Sequence, residues 1–89
     1  MSVGFGNAVV KERIIAIVSS DSAPVRRVIQ EARRTGRLID ATQGHRTRSV
    51  IFADSGQIIV SGLARETLTK RLGQPGPVHD TPDDGAQDA

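Results

Sequence analysis

Cysteine, tryptophan and tyrosine are absent from this sequence of 89 residues, and Phe5 and Phe52 are its only Phe, Trp or Tyr residues. Without cysteine there is no disulfide and no thiolate ligand for a metal ion. Proteins that hold single-stranded nucleic acid usually stack bases on aromatic side chains. Phe52 lies in an apolar run and is predicted to belong to the core, so the chain offers no stacking platform. These absences argue against disulfide-stabilised folds, thiolate metal sites and single-strand binding by stacking.

Residues suited to catalysis or to membrane insertion are also scarce. The two histidines, His45 and His79, lie in a predicted turn and in the C-terminal segment, and nothing places either near a nucleophile and an orienting acid. The longest apolar run, residues 14–18, is too short to cross a bilayer, and no signal peptide opens the chain. We therefore expect a cytoplasmic protein with no enzymatic activity, no metal, no cofactor, no membrane partner and no small-molecule substrate.

Charge is distributed unevenly along the chain. All 12 Lys and Arg residues, ten of them Arg, occur at or before Arg71, together with six of the ten Asp and Glu residues. That part carries a net charge of +6, whereas the last residues carry −4. Arginine is suited to bidentate contacts with phosphate, so an arginine-rich body indicates a nucleic-acid partner. A soluble domain that merely favours arginine over lysine is the alternative.

The chain is predicted to contain one ordered domain, residues 1–72, followed by a disordered acidic tail, residues 73–89. The tail is rich in proline, glycine and aspartate and has almost nothing to bury. A domain of this size has a thin core and β-rich segments whose edges need cover. We therefore expect the protein to associate with copies of itself.

Apolar and β-branched runs predict the strands. Residues 14–18 are expected to form a central strand, with a shorter strand at 7–10 before it. A strand is expected at 38–42, and residues 48–53 and 57–61 are expected to form a hairpin around Asp54, Ser55 and Gly56.

Helical spacing predicts two helices. Ser22 is a candidate N-cap, Pro24 suits the first turn, and Gly36 is a candidate for the left-handed residue after the last turn. The apolar stripe of this central amphipathic helix consists of Val25, Val28, Ile29 and Ala32. A short C-terminal helix is marked by Ala64, Leu68 and Leu72 and stopped by Gly73. The fold class is therefore α+β, with a small, mainly antiparallel sheet.

Three groups of cations are candidates for phosphate contacts. His45, Arg46 and Arg48 flank Thr47 where a hairpin tip is expected to project, although such a segment can also be a charged loop that keeps the protein soluble. Arg13 precedes the first long strand, where it can equally be an edge cation that discourages aggregation. The first helix has a basic face that can simply be solvated. It comprises Arg26, Arg27, Arg33 and Arg34, with Arg37 just after the helix.

Several of these short motifs, taken in order, resemble the RemA family of bacterial extracellular-matrix regulators. The likeness covers nearly all of residues 3–72. It is carried by Gly-Phe-Gly-Asn at 4–7, Arg-Ile-Ile-Ala-Ile-Val-Ser at 13–19, Ser-Ala-Pro at 22–24, Leu-Ile-Asp-Ala-Thr at 38–42, Gly-His-Arg-Thr-Arg at 44–48, Glu66-Thr67 and Arg71-Leu72.

The resemblance implies a non-enzymatic, DNA-binding transcriptional regulator, nucleoid-associated, whose α+β subunits assemble into a ring-like homo-oligomer. It also implies that DNA is contacted by an arginine before the central strand and by an arginine pair in the loop. By position these are Arg13 and Arg46, while His45 replaces the first arginine of the pair. Histidine is mostly neutral near pH 7, so that contact is expected to be weaker or pH-dependent.

Basic charge without aromatic side chains favours duplex DNA held through its backbone, with Arg13, His45, Arg46 and Arg48 as the expected contacts. A ring would repeat this weak site around its rim. The alternative is a structural or protein-interaction module whose basic helix face binds an acidic protein.

Overall fold

A four-stranded sheet forms the middle layer of the protein, whose structure is a computed structural model describing residues 1–73. The predicted tail therefore lies outside the described residues, apart from Gly73. In chain order the elements are β1 (Ser2–Gly4), β2 (Asn7–Ala8), β3 (Ile14–Ser19), α1 (Ala23–Arg34), β4 (Leu38–Asp40), β5 (Ser49–Ala53), β6 (Ile58–Ser61) and α2 (Arg65–Leu72). A single 3₁₀ turn, Lys11–Arg13, precedes β3.

Helix α1 begins and ends where the sequence predicts. The Ser22 hydroxyl accepts a hydrogen bond from the backbone N–H of Val25, and Pro24 lies in the first turn. Gly36 follows the helix with a φ of 78°. Helix α2 ends at Leu72 with Gly73 as its C-cap, also as predicted.

The sheet is mixed, in the order β3-β5-β6-β4. Strands β3 and β5 pair antiparallel, as do β5 and β6, whereas β4 and β6 are parallel. The predicted α+β class and the β5–β6 hairpin are confirmed, and the strand predicted at 38–42 ends at Asp40. The parallel pair arises because the hairpin inserts β6 between β5 and β4.

The prediction that residues 14–18 form a central strand is wrong, since β3 lies at one edge of the sheet. An apolar, β-branched run indicates a strand but not how many strands pair beside it, and β3 has no fully buried residue. The register shifts between Ile14 and Ala16, so Ile15 lies in a bulge. Ile15 is 69% exposed, the highest value among the exposed large hydrophobic residues of the described chain.

The strand predicted at 7–10 is shorter and belongs to a separate ribbon. Residues 7 and 8 form β2, which pairs antiparallel with β1. The sequence analysis missed β1, whose three residues are all buried. Gly4, Phe5 and Gly6 all have positive φ, which confirms the tight turn inferred from the two glycines.

The sheet has an apolar cluster on each face. Helix α1 covers one face, where Ala32 packs with Val50, Ile58 and Val60, and where Phe52 is half-buried. The other face carries Ile51 and Ile59, which share a cluster with side chains of the β1–β2 ribbon and α2. The buried members of this second cluster are Met1, Val3, Ala41, Ile51, Ile59, Leu63 and Leu68. None of the helices within residues 1–73 is both long and apolar enough to cross a bilayer.

Candidate nucleic-acid interface

The four predicted contact residues lie at two ends of the sheet. Arg13 immediately precedes β3, whereas His45, Arg46 and Arg48 lie near the residue that follows β3, Ser20. Six residues of strand separate the two positions, which is roughly 20 Å at the usual rise per residue. The fold therefore brings three of the predicted residues together and places Arg13 apart from them.

Residues 41–48 form the connection between β4 and β5, which we call the crossing loop. The expected hairpin tip at 44–48 is wrong, because β6 lies between β4 and β5 and the two strands do not pair. The loop must instead pass over the end of β6. The cations of the crossing loop thus lie across the end of the sheet and do not project on a free hairpin. We call this end of the sheet the loop end.

The crossing loop opens with a tight turn, as predicted for residues 43–45. Gln43 and Gly44 have φ values of 52° and 81°, and the N–H of His45 donates to the carbonyl of Thr42 over 2.9 Å. Two successive left-handed residues define a type I′ turn, for which glycine is well suited. The turn aims the following backbone across the sheet end.

Asp40 fixes the start of this turn. Its carboxylate accepts hydrogen bonds from the Thr42 hydroxyl, over 2.6 Å, and from the Thr42 N–H, over 2.9 Å. The side-chain bond, then the backbone bond, and finally the positive charge of Arg33 hold the pKa of Asp40 below its ordinary value, against a small opposing effect of burial. Asp40 is therefore an anion whose charge is engaged by the turn.

The second half of the crossing loop is held by its backbone. The Ser20 hydroxyl donates to the carbonyl of Thr47 over 3.0 Å, and the Ser20 N–H donates to the carbonyl of Arg48. The N–H of Arg48 donates to the carbonyl of Ser61 over 2.8 Å. Bonds to the ends of β3 and β6 fix the backbone, while the side chains of Arg46 and Arg48 remain exposed.

Gly62 allows the crossing loop to lie close against β6. A Cβ atom added at Gly62 would be 2.9 Å from Cε2 of Phe5, 3.3 Å from Cβ of His45 and 3.5 Å from the carbonyl oxygen of Arg46. The Phe5 and His45 rings stack with centroids 4.0 Å apart and an angle of 16° between their planes. The turn of the β1–β2 ribbon is thus docked on the crossing loop through His45.

In addition to its exposed arginines, the loop end has positive potential from two helix N-termini. Helix α1 starts shortly after β3 ends, and α2 starts shortly after β6 ends, so both helix N-termini lie at this end of the sheet. A helix N-terminus acts as roughly half a positive charge. Within residues 1–73, no hydrogen bond or ion pair holds the Arg46 guanidinium. The arrangement can bind an anion such as a phosphate.

Arg13, in contrast, is engaged by a carboxylate. Its Nε donates to both carboxylate oxygens of Asp54, at 2.7 and 2.9 Å, and both side chains are largely exposed. The Asp54 N–H also donates to the Arg13 carbonyl, which fixes the two residues side by side. Arg13 can therefore meet a phosphate only by sharing or exchanging this partner.

The basic face of α1 is exposed, but two of its arginines already contact other groups of the protein. Arg34 forms an ion pair with Glu31, and Arg37 donates to the hydroxyl of Thr35 and to the carbonyl of Gly56. Such contacts are typical of a solvated helix face. No group of acidic or histidine side chains in the described part of the chain is arranged to hold a metal ion.

Three contributors to these surfaces escaped the sequence analysis. Phe5 stands between two glycines, a context that indicates a turn but not a stacking partner for a residue 40 positions away. Asp54 was assigned only to the hairpin turn, although its carboxylate meets Arg13. Gly62 was not singled out because a close approach of distant segments leaves no local signal.

Comparison with known proteins finds a family match over most of the chain. The model of the RemA-like family, described as extracellular matrix regulatory protein A-like, matches residues 1–72. A regulatory protein of Cyanothece sp. PCC 7425 is 52% identical over 81 residues, covering 91% of this chain and 89% of its own. One from Alkaliphilus metalliredigens is 57% identical over 72 residues, covering 81% of this chain and 77% of its own. The names of these relatives state a regulatory role and nothing more specific.

Gly62→Ala tests the packing of the crossing loop. The added methyl group has to displace Phe5 or His45, and overpacking of this kind costs about 1–3 kcal/mol of unfolding free energy. Chemical denaturation should show this loss, and NMR should show shifted His45 ring signals. Gly73→Ala is the matched control, because its Cβ would meet nothing nearer than 3.7 Å at a negative φ. Equal, small effects of both substitutions would contradict the packing described here.

Proposed function

Since the chain belongs to the RemA-like family of extracellular matrix regulatory proteins, we propose that it is a DNA-binding transcriptional regulator that holds duplex DNA through arginine–phosphate contacts. The observation that carries this proposal is the clustering of positive charge at the loop end. Arg46 and Arg48 are displayed there on a backbone fixed by hydrogen bonds to Ser20 and Ser61, and both helix N-termini lie at the same end. A fixed backbone that displays exposed arginines suits contacts with a phosphate backbone.

Arg13 fits the same duplex if the DNA axis runs beside β3. Each DNA strand carries a phosphate every 3.4 Å along the helix axis, so contacts separated by roughly 20 Å are available on one duplex. In this arrangement the crossing loop would bind at one end of β3 and Arg13 at the other. The Asp54 carboxylate would compete with DNA for Arg13 and weaken that second contact.

Self-association would multiply these contacts. The sheet leaves β3 and β4 at its edges, and Val10, Ile15 and Ile39 are exposed large apolar side chains. Such edges and side chains are commonly covered by a neighbouring subunit. A ring-like homo-oligomer would repeat each weak phosphate site and gain affinity by multivalency. The role proposed here needs no catalytic step, and it places the protein in the cytoplasm on the nucleoid.

Arg46→Ala should weaken binding to duplex DNA about 10- to 150-fold at low salt, because a hydrogen bond to a charged group contributes about 1.5–3 kcal/mol. The loss should be similar on all sequences, since phosphate contacts carry little sequence information. Filter binding at two salt concentrations measures it, and light scattering should report an unchanged multi-subunit mass.

Lys70→Ala is the control for Arg46→Ala. It removes an equally charged, exposed side chain from the last turn of α2, away from the loop end. Equal losses for the two variants would show that only net charge matters and would refute the loop site. Failure of the wild-type protein to bind duplex DNA at low salt would instead favour an acidic protein as its partner.

Asp54→Asn should tighten DNA binding by up to about fivefold. An exposed ion pair contributes about 0.2–1 kcal/mol of free energy. In the variant, Arg13 no longer loses this energy when it binds a phosphate. Glu31→Gln is the control, because it releases Arg34 from an equally exposed ion pair on α1. The same salt titration serves both variants, and an unchanged affinity for Asp54→Asn would remove Arg13 from the proposed site.

The charge of residue 45 predicts a further effect on DNA binding. His45→Arg should bind duplex DNA more tightly at low salt, because arginine is always charged, makes bidentate contacts with phosphate and can also stack on Phe5. The same filter-binding titration measures the gain, and His79→Arg, which adds an equal charge elsewhere in the chain, is the control. If the two variants gain equally, or if His45→Arg binds no more tightly than the wild type, His45 does not contact DNA.

A further inference from the structure

The turn between β1 and β2 has a strained backbone at an aromatic residue. Phe5 has a φ of 55° and stands between two glycines whose φ values are also positive. A bulky side chain rarely adopts this left-handed conformation, whereas glycine adopts it without steric cost. Such strain persists only where the surrounding structure holds the residue in place, and it is common at ligand-binding sites. The turn alone would favour glycine at position 5, so the aromatic ring has to be explained by its contacts.

The ring of Phe5 contacts the crossing loop. It stacks on the ring of His45, with the centroids 4.0 Å apart and an angle of 16° between the planes. Phe5 is half-buried and also packs against the second apolar cluster, whereas His45 is exposed. The stack covers one face of the imidazole, restricts its rotation and fixes the plane in which its ring nitrogens lie. Phe5 therefore orders an exposed side chain that is one of the candidate phosphate contacts.

The β1–β2 turn is itself fastened to the loop end. The side-chain amide of Asn7 donates to the carbonyl of Phe5 within the turn and to the carbonyl of Ala41, the first residue of the crossing loop, each over 3.3 Å. The Ser61 hydroxyl, at the end of β6, donates to the carbonyl of Val3 over 2.8 Å. These bonds hold the Phe5 ring at a fixed position relative to both the crossing loop and β6. The stack on His45 is thus made by a rigid support.

Ordering a side chain in the free protein favours its contacts in a complex. A flexible side chain loses freedom when it is immobilised at an interface, and this loss weakens binding. An imidazole ring has at least one N–H donor in either protonation state, so a ring held at a fixed angle can donate to a phosphate oxygen. A planar guanidinium group at position 45 could stack on Phe5 in the same way, whereas the ammonium group of a lysine is not planar.

We propose that Phe5 is a positioning residue for DNA binding, whose ring orders the side chain at position 45 for contact with a phosphate. This role rests on the proposed DNA-binding function and extends the candidate site from the crossing loop to the β1–β2 turn. Phe5 acts through residue 45 and needs no DNA contact of its own. The strained turn is thereby part of the binding surface, and planar side chains are favoured at position 45.

A measurement on the wild-type protein without DNA tests the stack itself. NMR should show nuclear Overhauser effects between the ring protons of Phe5 and His45. The His45 ring signals, identified by their loss in His45→Ala, should lie upfield of those of free histidine because the Phe5 ring current shields them. Phe5→Tyr should keep this shift. Absence of both the Overhauser effects and the upfield shift would overturn the proposal even if no other Phe5 variant folds.

DNA binding is then compared between Phe5→Leu, which keeps an apolar side chain but removes the ring, and Phe5→Tyr, which keeps the ring. In filter binding at low salt, Phe5→Leu should bind duplex DNA about two- to tenfold more weakly, the range expected when one side chain has to be ordered on binding. Phe5→Tyr should bind like the wild type. Leu72→Ala is the control, because it trims the same apolar cluster from the last turn of α2. Equal losses for Phe5→Leu and Leu72→Ala would show that Phe5 only packs and would overturn the proposal.

A double-mutant cycle separates positioning from packing. In a His45→Ala background, Phe5→Leu should have little further effect on DNA affinity, because no ring is left to order. An undiminished effect in that background overturns the proposal. If the wild type binds duplex DNA and Phe5→Leu binds equally well, the role of Phe5 is refuted while the proposed function stands. If the wild type binds no duplex DNA, the proposed function fails and the role of Phe5 fails with it.

Discussion

The insertion of β6 between β4 and β5 is the constraint on which the candidate site depends. Because β4 and β5 are not neighbours, the chain between them has to cross the end of β6, and it can do so closely only where β6 is followed by a residue without a side chain. Gly62 meets that requirement and brings Phe5, His45 and the Arg46 backbone together. The same topology starts both helices at this end of the sheet. One strand order thus produces the fixed loop, the displayed arginines and the favourable helix dipoles.

Most of the secondary structure could be predicted from the sequence because its signals are local. The N-cap at Ser22, the apolar stripe of α1 and the β5–β6 hairpin each depend on residues within a few positions of one another. The edge position of β3, the parallel β4–β6 pair and the existence of β1 depend on which distant segments pair. An apolar run such as residues 14–18 carries information about strand formation but none about the number of neighbouring strands.

The candidate site was predictable in composition but not in arrangement. Arginines flanking a glycine turn are candidates for phosphate contacts in any fold, so the sequence predicted the candidate residues of the crossing loop without predicting its path. Arg13 could be named but not located, because its distance from the loop is set by the length of β3 and by the direction of the chain. Its pairing with Asp54 depends on the register between β3 and β5, where Ile14 lies opposite Ala53. No property of either residue alone indicates that register.

The attraction between such a surface and an anion depends on how many of its cations are already paired with acidic side chains. An acid that contacts a candidate cation, as Asp54 contacts Arg13, lowers the positive potential at that cation. Gaining or losing such an acid changes the folding stability little, because exposed ion pairs contribute little free energy. In the proposed homo-oligomer every such contact is repeated once per subunit, so a small change per site becomes a large change in total affinity. Residue 45 is then an adjustable position, because an arginine there would add a fixed charge and bidentate phosphate contacts that histidine does not supply. A surface made of weak, repeated contacts can be adjusted by single residues, whereas one strong contact could only be kept or lost.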